Sequence, residues 1–468
     1  MNTTATEKTT THRDAVSNVS IEDYFLIIGF GVTGKALAAY FDKRNFNYYV
    51  LDDREDLICE GRNFLGSFTK DSELCGFTDK KLRAVFPSPG VSLTHPVVQK
   101  AKVSGVPIIG ELELASFFLK GDFIAVTGTN GKSTTVKLIN ALLKDAGIQN
   151  GLKGNIGSPL ITAVNEPPKP YYVIEESSFQ LELAGSLRHK VAVCLNVTPD
   201  HFERYNSIEE YAMAKANIIC NSGEDDIFVY NHDDRYCLNM SMDSRLKNIP
   251  FSLVHEFDEG AFVRDNMMII RMDGESFGFD LRQCSLKGLH NTENMLAALT
   301  AALVVNKTPE AVKSYASTLK TFTGLRHRLE KVTSFQGIDF YNDSKATNVG
   351  AVVMALASFD QNVILLAGGR DKLCDYLPLK GLIQGKVKKL ILMGEAREKM
   401  YRCFKDTTAV EMVEDMAQAV HAACRAATAG DTVLLSPACS SFDQYKDYKE
   451  RGDDFENRVK SECRKREM

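Results

Sequence analysis

Tryptophan is absent from the 468 residues, and that absence alone excludes nothing. Other absences are more telling. No apolar run approaches the ~20 residues that a membrane-spanning helix needs. The eleven cysteines are scattered and include no CxxC pair, which argues against a zinc site or a disulfide framework. They read as reduced thiols in a cytoplasmic protein. Neither sign of charge dominates: 56 basic and 61 acidic residues leave a net charge of -5, so no nucleic-acid partner is expected. The N-terminal stretch MNTTATEKTTTHRDAVSNVS has no apolar core. It is a poor secretory signal and reads as a disordered lead-in over 1–20.

What is present is the balance of an ordinary globular protein, 44% hydrophobic and 25% charged. At roughly 150 residues per domain the length suggests about three domains. Short apolar runs ending in glycine or polar turns alternate with helical stretches, the pattern of an α/β fold. A first unit opens with Tyr24–Ile28 and continues through strands near 48–51, 84–86 and 107–109. A second opens at Asp122–Val126, and its next helix places Val136, Ile139, Leu143 and Ala146 on one face, closed by Gly147. Strands near 172–174 and 191–195 belong to it, while 225–285 reads as a small antiparallel accessory sheet. A third unit holds strands near 363–366, 389–392 and 432–435. Boundaries fall near Gly110 and Gly324, giving domains over 21–110, 111–324 and 325–468.

Two glycine-rich turns follow strands. Gly29-Phe-Gly31-Val-Thr-Gly34 fits GxGxxG, with Asp52 or Asp53 about 20 residues on, as in a dinucleotide fingerprint. A tight turn without ligand reads equally well, and an NAD-dependent oxidoreductase is the rival it suggests. The segment Gly128-Thr-Asn-Gly-Lys-Ser-Thr134 is sharper. Backbone N–H groups and Lys132 at a helix start can hold phosphates, and Ser133 can reach Mg²⁺. It departs from the standard P-loop, since Val126 stands where its first glycine would. Glu175 and Asp200-His201 follow strands, where open α/β sheets bind ligands; a structural histidine is the plainer reading. Lys215 lies on a helix opened by Ser207-Ile-Glu-Glu210. As an ammonium it would repel Mg²⁺, so it could be a ligand only after modification to an anion. Polar clusters at 324–328, 342–348, 368–372 and 436–441 suit an anionic ligand.

Together GTNGKST, ESSFQLE, NVTPDH, TFTGLRHRLE, YNDSKATN and SPACSSFDQYKDYKERG resemble the Mur ligase family, over nearly the whole chain from about Tyr24. The last two motifs resemble its D-glutamate-adding branch. The resemblance implies three domains: an N-terminal Rossmann-like domain, a central P-loop ATPase-like domain and a C-terminal Rossmann-like domain. The central one would carry a parallel sheet plus a small antiparallel sheet. It implies an ATP-dependent acid–D-amino-acid ligase of peptidoglycan precursor synthesis, acting through an acyl phosphate. The ligands would be ATP, two Mg²⁺, UDP-N-acetylmuramoyl-L-alanine and D-glutamate, bound by a monomer.

By the same resemblance, Lys132, Glu175, His201 and Lys215 form the catalytic set. Ser133, Glu175, His201 and an N-carboxylated Lys215 hold metal. Carboxylation requires a neutral amine, hence a lysine pKa lowered from its reference near ~10.4. Gly128, Thr129, Asn130, Gly131, Ser133, Thr134, Asn294, Arg328 and Asp343 accompany Lys132 at ATP. Val32, Thr33, Arg54 and Ser88 would hold the UDP end, and Asn155 a substrate group. Lys345, Thr347, Lys372, Ser441, Phe442 and Tyr448 would form the D-glutamate pocket, where two lysines suit a dicarboxylate. Three positions depart from the family pattern: Asp53 for threonine, Glu176 for an apolar residue and Leu373 for glycine. A non-catalytic nucleotide-gated module is a further rival, disfavoured by the intact catalytic set.

Overall fold

The computed structural model describes residues 12–17, 19–54, 59–68, 81–372 and 374–467; Leu373 lies outside them. Among the described residues three sheets organise the chain. In the first, β1 (Tyr24–Ile28), β2 (Asn47–Leu51), β3 (Phe64–Phe68) and β4 (Leu82–Pro87) pair in parallel in the order β3-β2-β1-β4. Strand β1, Tyr-Phe-Leu-Ile-Ile, is buried throughout, as a parallel strand covered on both faces must be.

The second sheet has nine strands: β5 (Asp122–Thr127), β6 (Asn150–Gly154), β7 (Tyr171–Glu175), β8 (Val191–Cys194), β9 (Ile227–Asn231), β10 (Lys247–Ser252), β11 (Gly260–Arg264), β12 (Met267–Met272) and β13 (Glu275–Asp280). Their order is β13-β12-β11-β10-β9-β8-β5-β7-β6. From β6 to β11 every pairing is parallel; only β11-β12-β13 is antiparallel. The separate accessory sheet expected over 225–285 is therefore corrected. Its strands extend the main sheet, because β9 and β10 keep the parallel register before the chain folds into hairpins. The helix Lys132–Asp145 buries Val136, Ile139, Leu142 and Leu143, and Gly147 follows it at φ +78°.

The third sheet comprises β14 (Glu330–Phe335), β15 (Ile338–Asn342), β16 (Val363–Gly368), β17 (Val387–Met393), β18 (Ala409–Met412) and β19 (Thr432–Leu435), ordered β14-β15-β19-β16-β17-β18. It is parallel apart from the β14-β15 hairpin. Apolar clusters cover both its faces.

The chain divides into two compact units. One holds residues 1–196, 209–283 and 293–320; the other holds 197–208, 284–292 and 321–468. Within the first unit the first two sheets share a core in which Phe25, Phe41 and Phe86 meet Leu160, Tyr172 and Ile174. Each such fully buried side chain contributes about 1.5–3 kcal/mol relative to exposure.

The lead-in departs from the disorder expected over 1–20. Residues 12–15 form a helical turn, and Ala15 and Val16 are buried in that shared core. Arg83 donates to the carbonyls of Asp14 and Ala15, and His12 Nδ1 lies 3.1 Å from Glu113. The polar average of the segment conceals an apolar pair held by long-range partners. Residues 1–11 lie outside those described.

Gly34 sets the approach of the first helix, Val32–Arg44, to its sheet. A Cβ there would stand 2.2 Å from the Gly29 carbonyl oxygen, a backbone atom that cannot swing aside. Gly34→Ala is expected to destabilise the first unit by about 1–3 kcal/mol. An unchanged urea-unfolding midpoint would contradict this.

Candidate active site

Parallel pairing brings the carboxyl ends of β6, β7, β5, β8, β9 and β10 to one edge of the central sheet, where open α/β sheets bind ligands. The loop after β5 turns there into the helix Lys132–Asp145, with Gly131 at its N-cap (φ +87°). A side chain on Gly131 would meet Asn294 Oδ1 at 2.2 Å, so only glycine fits beneath that amide. Asn196, just past β8, braces the loop. Its carbonyl accepts from Thr129 N at 2.8 Å, and its side-chain oxygen from Asn130 N at 2.9 Å. The Asn196 amide donates back to the Asn130 carbonyl at 3.3 Å. Ser133 and Thr134 are buried at the first helical turn, where backbone N–H groups and the helix dipole favour an anion.

Two lysines converge on this loop. Lys132 Nζ donates to the Gly128 and Thr129 carbonyls at 2.7 and 2.9 Å. Lys215, from the helix Ile208–Ala216 and 1% exposed, donates to the same Gly128 oxygen at 2.9 Å. Its amine also lies 4.4 Å from the centre of the Tyr211 ring.

Glu175 ends β7 beside the loop, paired across the sheet with Val126. One carboxylate oxygen accepts from the Asn155 amide at 2.8 Å, so Asn155 orients this acid. The other, Oε2, is buried with no hydrogen-bond partner. A buried carboxylate oxygen left bare is costly, and a cation at this position would satisfy it.

Behind Glu175, Glu176 faces inward. Its Oε1 lies 3.1 Å from His189 Nε2, both side chains being fully buried. His189 Nδ1 lies 2.7 Å from the Ile218 carbonyl. Burial opposes charge on this imidazole, but Glu176 and the carbonyl prevail and raise its pKa. The departure from an apolar residue at 176 thus has a partner 13 positions away.

In the first sheet, Gly29 and Gly31 form the turn after β1. Ser88 Oγ donates to the Gly29 carbonyl at 2.7 Å. Asp52 accepts from Phe30 N at 2.6 Å and from Arg54 through Nε and a terminal nitrogen, at 2.6 and 3.0 Å. The carboxylate that an NAD ribose would require is committed to Arg54 and the loop, and Arg54 holds its pKa down. Val32 and Asp53 are exposed and Thr33 is half-buried.

The second unit gathers the remaining residues. Asp200 is buried and lies 3.4 Å from Lys372 Nζ, while the Asn348 amide donates to it at 3.0 Å. Burial resists its ionisation, yet Lys372, His201 and Asn348 together hold its carboxyl below the ordinary range. His201, at φ +58°, lies 3.1 Å from Glu203 through Nδ1. The expected metal set is therefore divided, with Ser133, Glu175 and Lys215 in the first unit and His201 in the second.

Lys345 Nζ lies 4.0 Å above the Tyr448 ring, and Thr347 N donates to the Lys345 carbonyl. Asp343 accepts from Ser436 and from Leu329 N; burial pushes its carboxyl up to about 7 against the pull of these bonds and Arg328. Ser441 is buried and Phe442 is 63% exposed.

Arg451, 1% exposed, ties this region together. Its guanidinium donates to Ser344 Oγ and to the carbonyls of Ser344, Cys439 and Ser440 at 2.8–3.2 Å. It pins the loop that carries Asp343 and Lys345 against the loop that carries Ser441 and Phe442.

Family models match three segments: a MurD-like N-terminal domain of Mur ligases over 23–110, the Mur ligase middle domain over 126–302, and the Mur ligase glutamate ligase domain over 327–439. The UDP-N-acetylmuramoylalanine--D-glutamate ligase of Geotalea daltonii is 39% identical over 442 residues, 93% of this chain and 97% of its own. That of Trichlorobacter lovleyi is 41% identical over 449 residues, covering 93% and 98%. The chain belongs to the Mur ligase family. The family fold is also that of Thermotoga maritima MurF ligase in complex with ADP. That structure has TM-score 0.57 and 16% identity, with 95% of this chain and 99% of that one covered.

Against the Mur ligase motifs, three features escaped the reading of the chain. Asn196 lies within NVTPDH, yet its partner Asn130 is 66 residues away. Arg451 lies in a motif, but its burial is visible only in three dimensions. The Glu176–His189 pair had one signal, an acid where an apolar residue is usual.

Glu111, which opens the helix Glu111–Ser116, accepts from Ile161 N at 2.6 Å. Burial pushes its carboxyl up to about 7, and nearby Glu176 adds to this. Between its ordinary 4.5 and about 7, the unfolded chain has lost a proton that the folded one retains. Glu111 therefore removes stability as pH rises through this window, by about 1.4 kcal/mol per pH unit. Glu111→Gln, which keeps the acceptor, is expected to flatten that slope. Denaturant unfolding of both proteins between pH 5 and 8 decides it, and parallel curves would refute it.

Proposed function

We propose that this Mur ligase joins D-glutamate to UDP-N-acetylmuramoyl-L-alanine at the expense of ATP, as a cytoplasmic monomer with domains over 21–110, 111–324 and 325–468. The observation that carries the reading is the convergence of Lys132, Lys215 and the bare Glu175 oxygen on the carboxyl edge of the central sheet. The two relatives bearing that ligase name, similar over 93% of the chain, support the choice of substrates.

A carboxylate resists attack because its charge repels nucleophiles. Phosphorylation of the alanyl carboxylate by ATP gives an acyl phosphate; the D-glutamate amine attacks it, and the tetrahedral intermediate expels phosphate. The protein's share is positioning and charge neutralisation. Gly128–Thr134 cradle the phosphates at the positive end of the helix dipole, Lys132 contributes its charge, and Asn294 packs on the loop. Arg328 and Asp343 reach the nucleotide. Val32, Thr33, Arg54 and Ser88 bind the UDP end, with Asp53 at the uracil side. Asn155 acts by orienting Glu175. Lys345, Thr347, Lys372, Ser441, Phe442 and Tyr448 receive D-glutamate.

Ser133, Glu175, His201 and Lys215 would hold two Mg²⁺, which supply charge neutralisation at the phosphates when bound. Two ammonium groups on one carbonyl oxygen repel each other, so a neutral Lys215 amine relieves the Gly128 contact. A neutral amine adds to carbon dioxide and releases a proton, leaving an anionic carbamate with two metal-binding oxygens.

Purified protein is expected to release phosphate from Mg²⁺-ATP only with UDP-N-acetylmuramoyl-L-alanine and D-glutamate together. L-Glutamate and L-alanine serve as comparisons; equal release with either would overturn the assignment. Lys215→Ala is expected to lose about 100-fold or more of the activity, partly restored by added short carboxylates. Full activity in that variant would remove the carbamate from the scheme.

A further inference from the structure

The carboxyl edge of the central sheet continues beyond the phosphate loop. Residues His232 and Asp233 follow β9, and His255 follows β10, its parallel neighbour. Donor atoms of these three side chains all lie within 4.8 Å of one another. We propose that His232, Asp233 and His255 form a binding site for a transition-metal dication of the Zn²⁺ class, separate from the residues assigned to Mg²⁺.

The cluster is held by its surroundings. Ser252 Oγ donates to Asp233 Oδ1 at 2.7 Å, and Leu253 N donates to Oδ2 at 2.9 Å. The same Ser252 oxygen accepts from His255 N at 2.7 Å, so one hydroxyl ties the carboxylate to the backbone of the second histidine. His232 N bonds the Phe251 carbonyl, prolonging the β9-β10 ladder. Such outer hydrogen bonds orient ligands for a metal. The His232 and His255 rings meet edge to face with centroids 5.0 Å apart.

Two observations favour a ligand over ring packing alone. His232 Nδ1 is buried without a hydrogen-bond partner, although most buried polar atoms have one. Asp233 and His255 are exposed, which leaves open positions for water or a further ligand. Ligands about 2.0–2.1 Å from a tetrahedral ion stand about 3.3 Å apart, and rotation of the exposed His255 ring can close that gap. Two imidazoles and a carboxylate suit Zn²⁺, Co²⁺ or Ni²⁺, whereas Mg²⁺ prefers an all-oxygen shell. Asp234 is not available to the ion, because it caps the next helix through Tyr236 N and Cys237 N.

Occupancy would brace the end of β9. There Asn231 donates to the Leu195 carbonyl at 3.0 Å, one residue before the asparagine that holds the phosphate loop.

The test uses the full chain in excess Mg²⁺, which occupies the catalytic metal positions. Titration with Co²⁺ is expected to give one equivalent bound at micromolar Kd, with visible d–d absorption, and Zn²⁺ should displace it. His255→Ala, at an exposed position, should weaken binding at least about tenfold, as should His232→Ala. His421→Ala, in the helix Met416–Ala426 of the second unit, should bind as the parent does, and circular dichroism confirms folding of each variant. Absence of saturable binding below about 1 mM, or undiminished binding in His255→Ala, would overturn the proposal.

Discussion

Asn196 bonds the loop after β5 at three points, and the first unit's chemistry is arranged around the loop so fixed. An isolated glycine-rich turn samples many conformations, and immobilising its backbone costs about 1–2 kcal/mol per residue. Here the neighbouring parallel strand supplies a side chain that copies a backbone partner, and Gly131 accepts the left-handed turn beneath Asn294. With the loop held, its carbonyls point at Lys132 and Lys215, and the helix that follows presents its positive dipole end at the same edge. Glu175 reaches the same edge because β7 pairs with β5 residue for residue.

The second unit solves a similar problem with a cation. The D-glutamate residues proposed here follow three strands far apart in sequence, β15, β16 and β19. Arg451 joins the segments after β15 and β19 through four bonds to oxygens. Its burial lowers its pKa to about 10, which still leaves the guanidinium charged at neutral pH. Removing it would take the partner from the Ser344 and Cys439 carbonyls, each costing about 1–3 kcal/mol, while Ser440 keeps its bond from Arg370 N.

The fold was legible where physics is local. Strands ending in glycine, the face of the helix Lys132–Asp145 and the three-part division all follow from periodicity and turn chemistry. Contiguous motifs also singled out Lys132, Glu175 and Lys215, which the fold brings to one edge of the central sheet. Features depending on distant pairing were not legible. The β11-β12-β13 hairpins looked like a separate sheet because nothing local tells an edge extension from an independent layer. The lead-in looked disordered because Arg83 and Glu113, which hold it, lie about 70 and 100 residues away. Glu176 appeared as an anomaly until His189 gave it a partner.

The anchored lead-in bears on how the molecule can be handled. The matched N-terminal family domain begins at residue 23, which invites trimming the gene there for expression or crystallisation. Such a cut would remove Ala15 and Val16 from a core that also includes Tyr40, Phe41 and Leu114. The newly wetted apolar floor would lie under both of the first two sheets, a nucleus for aggregation rather than a cleaner terminus.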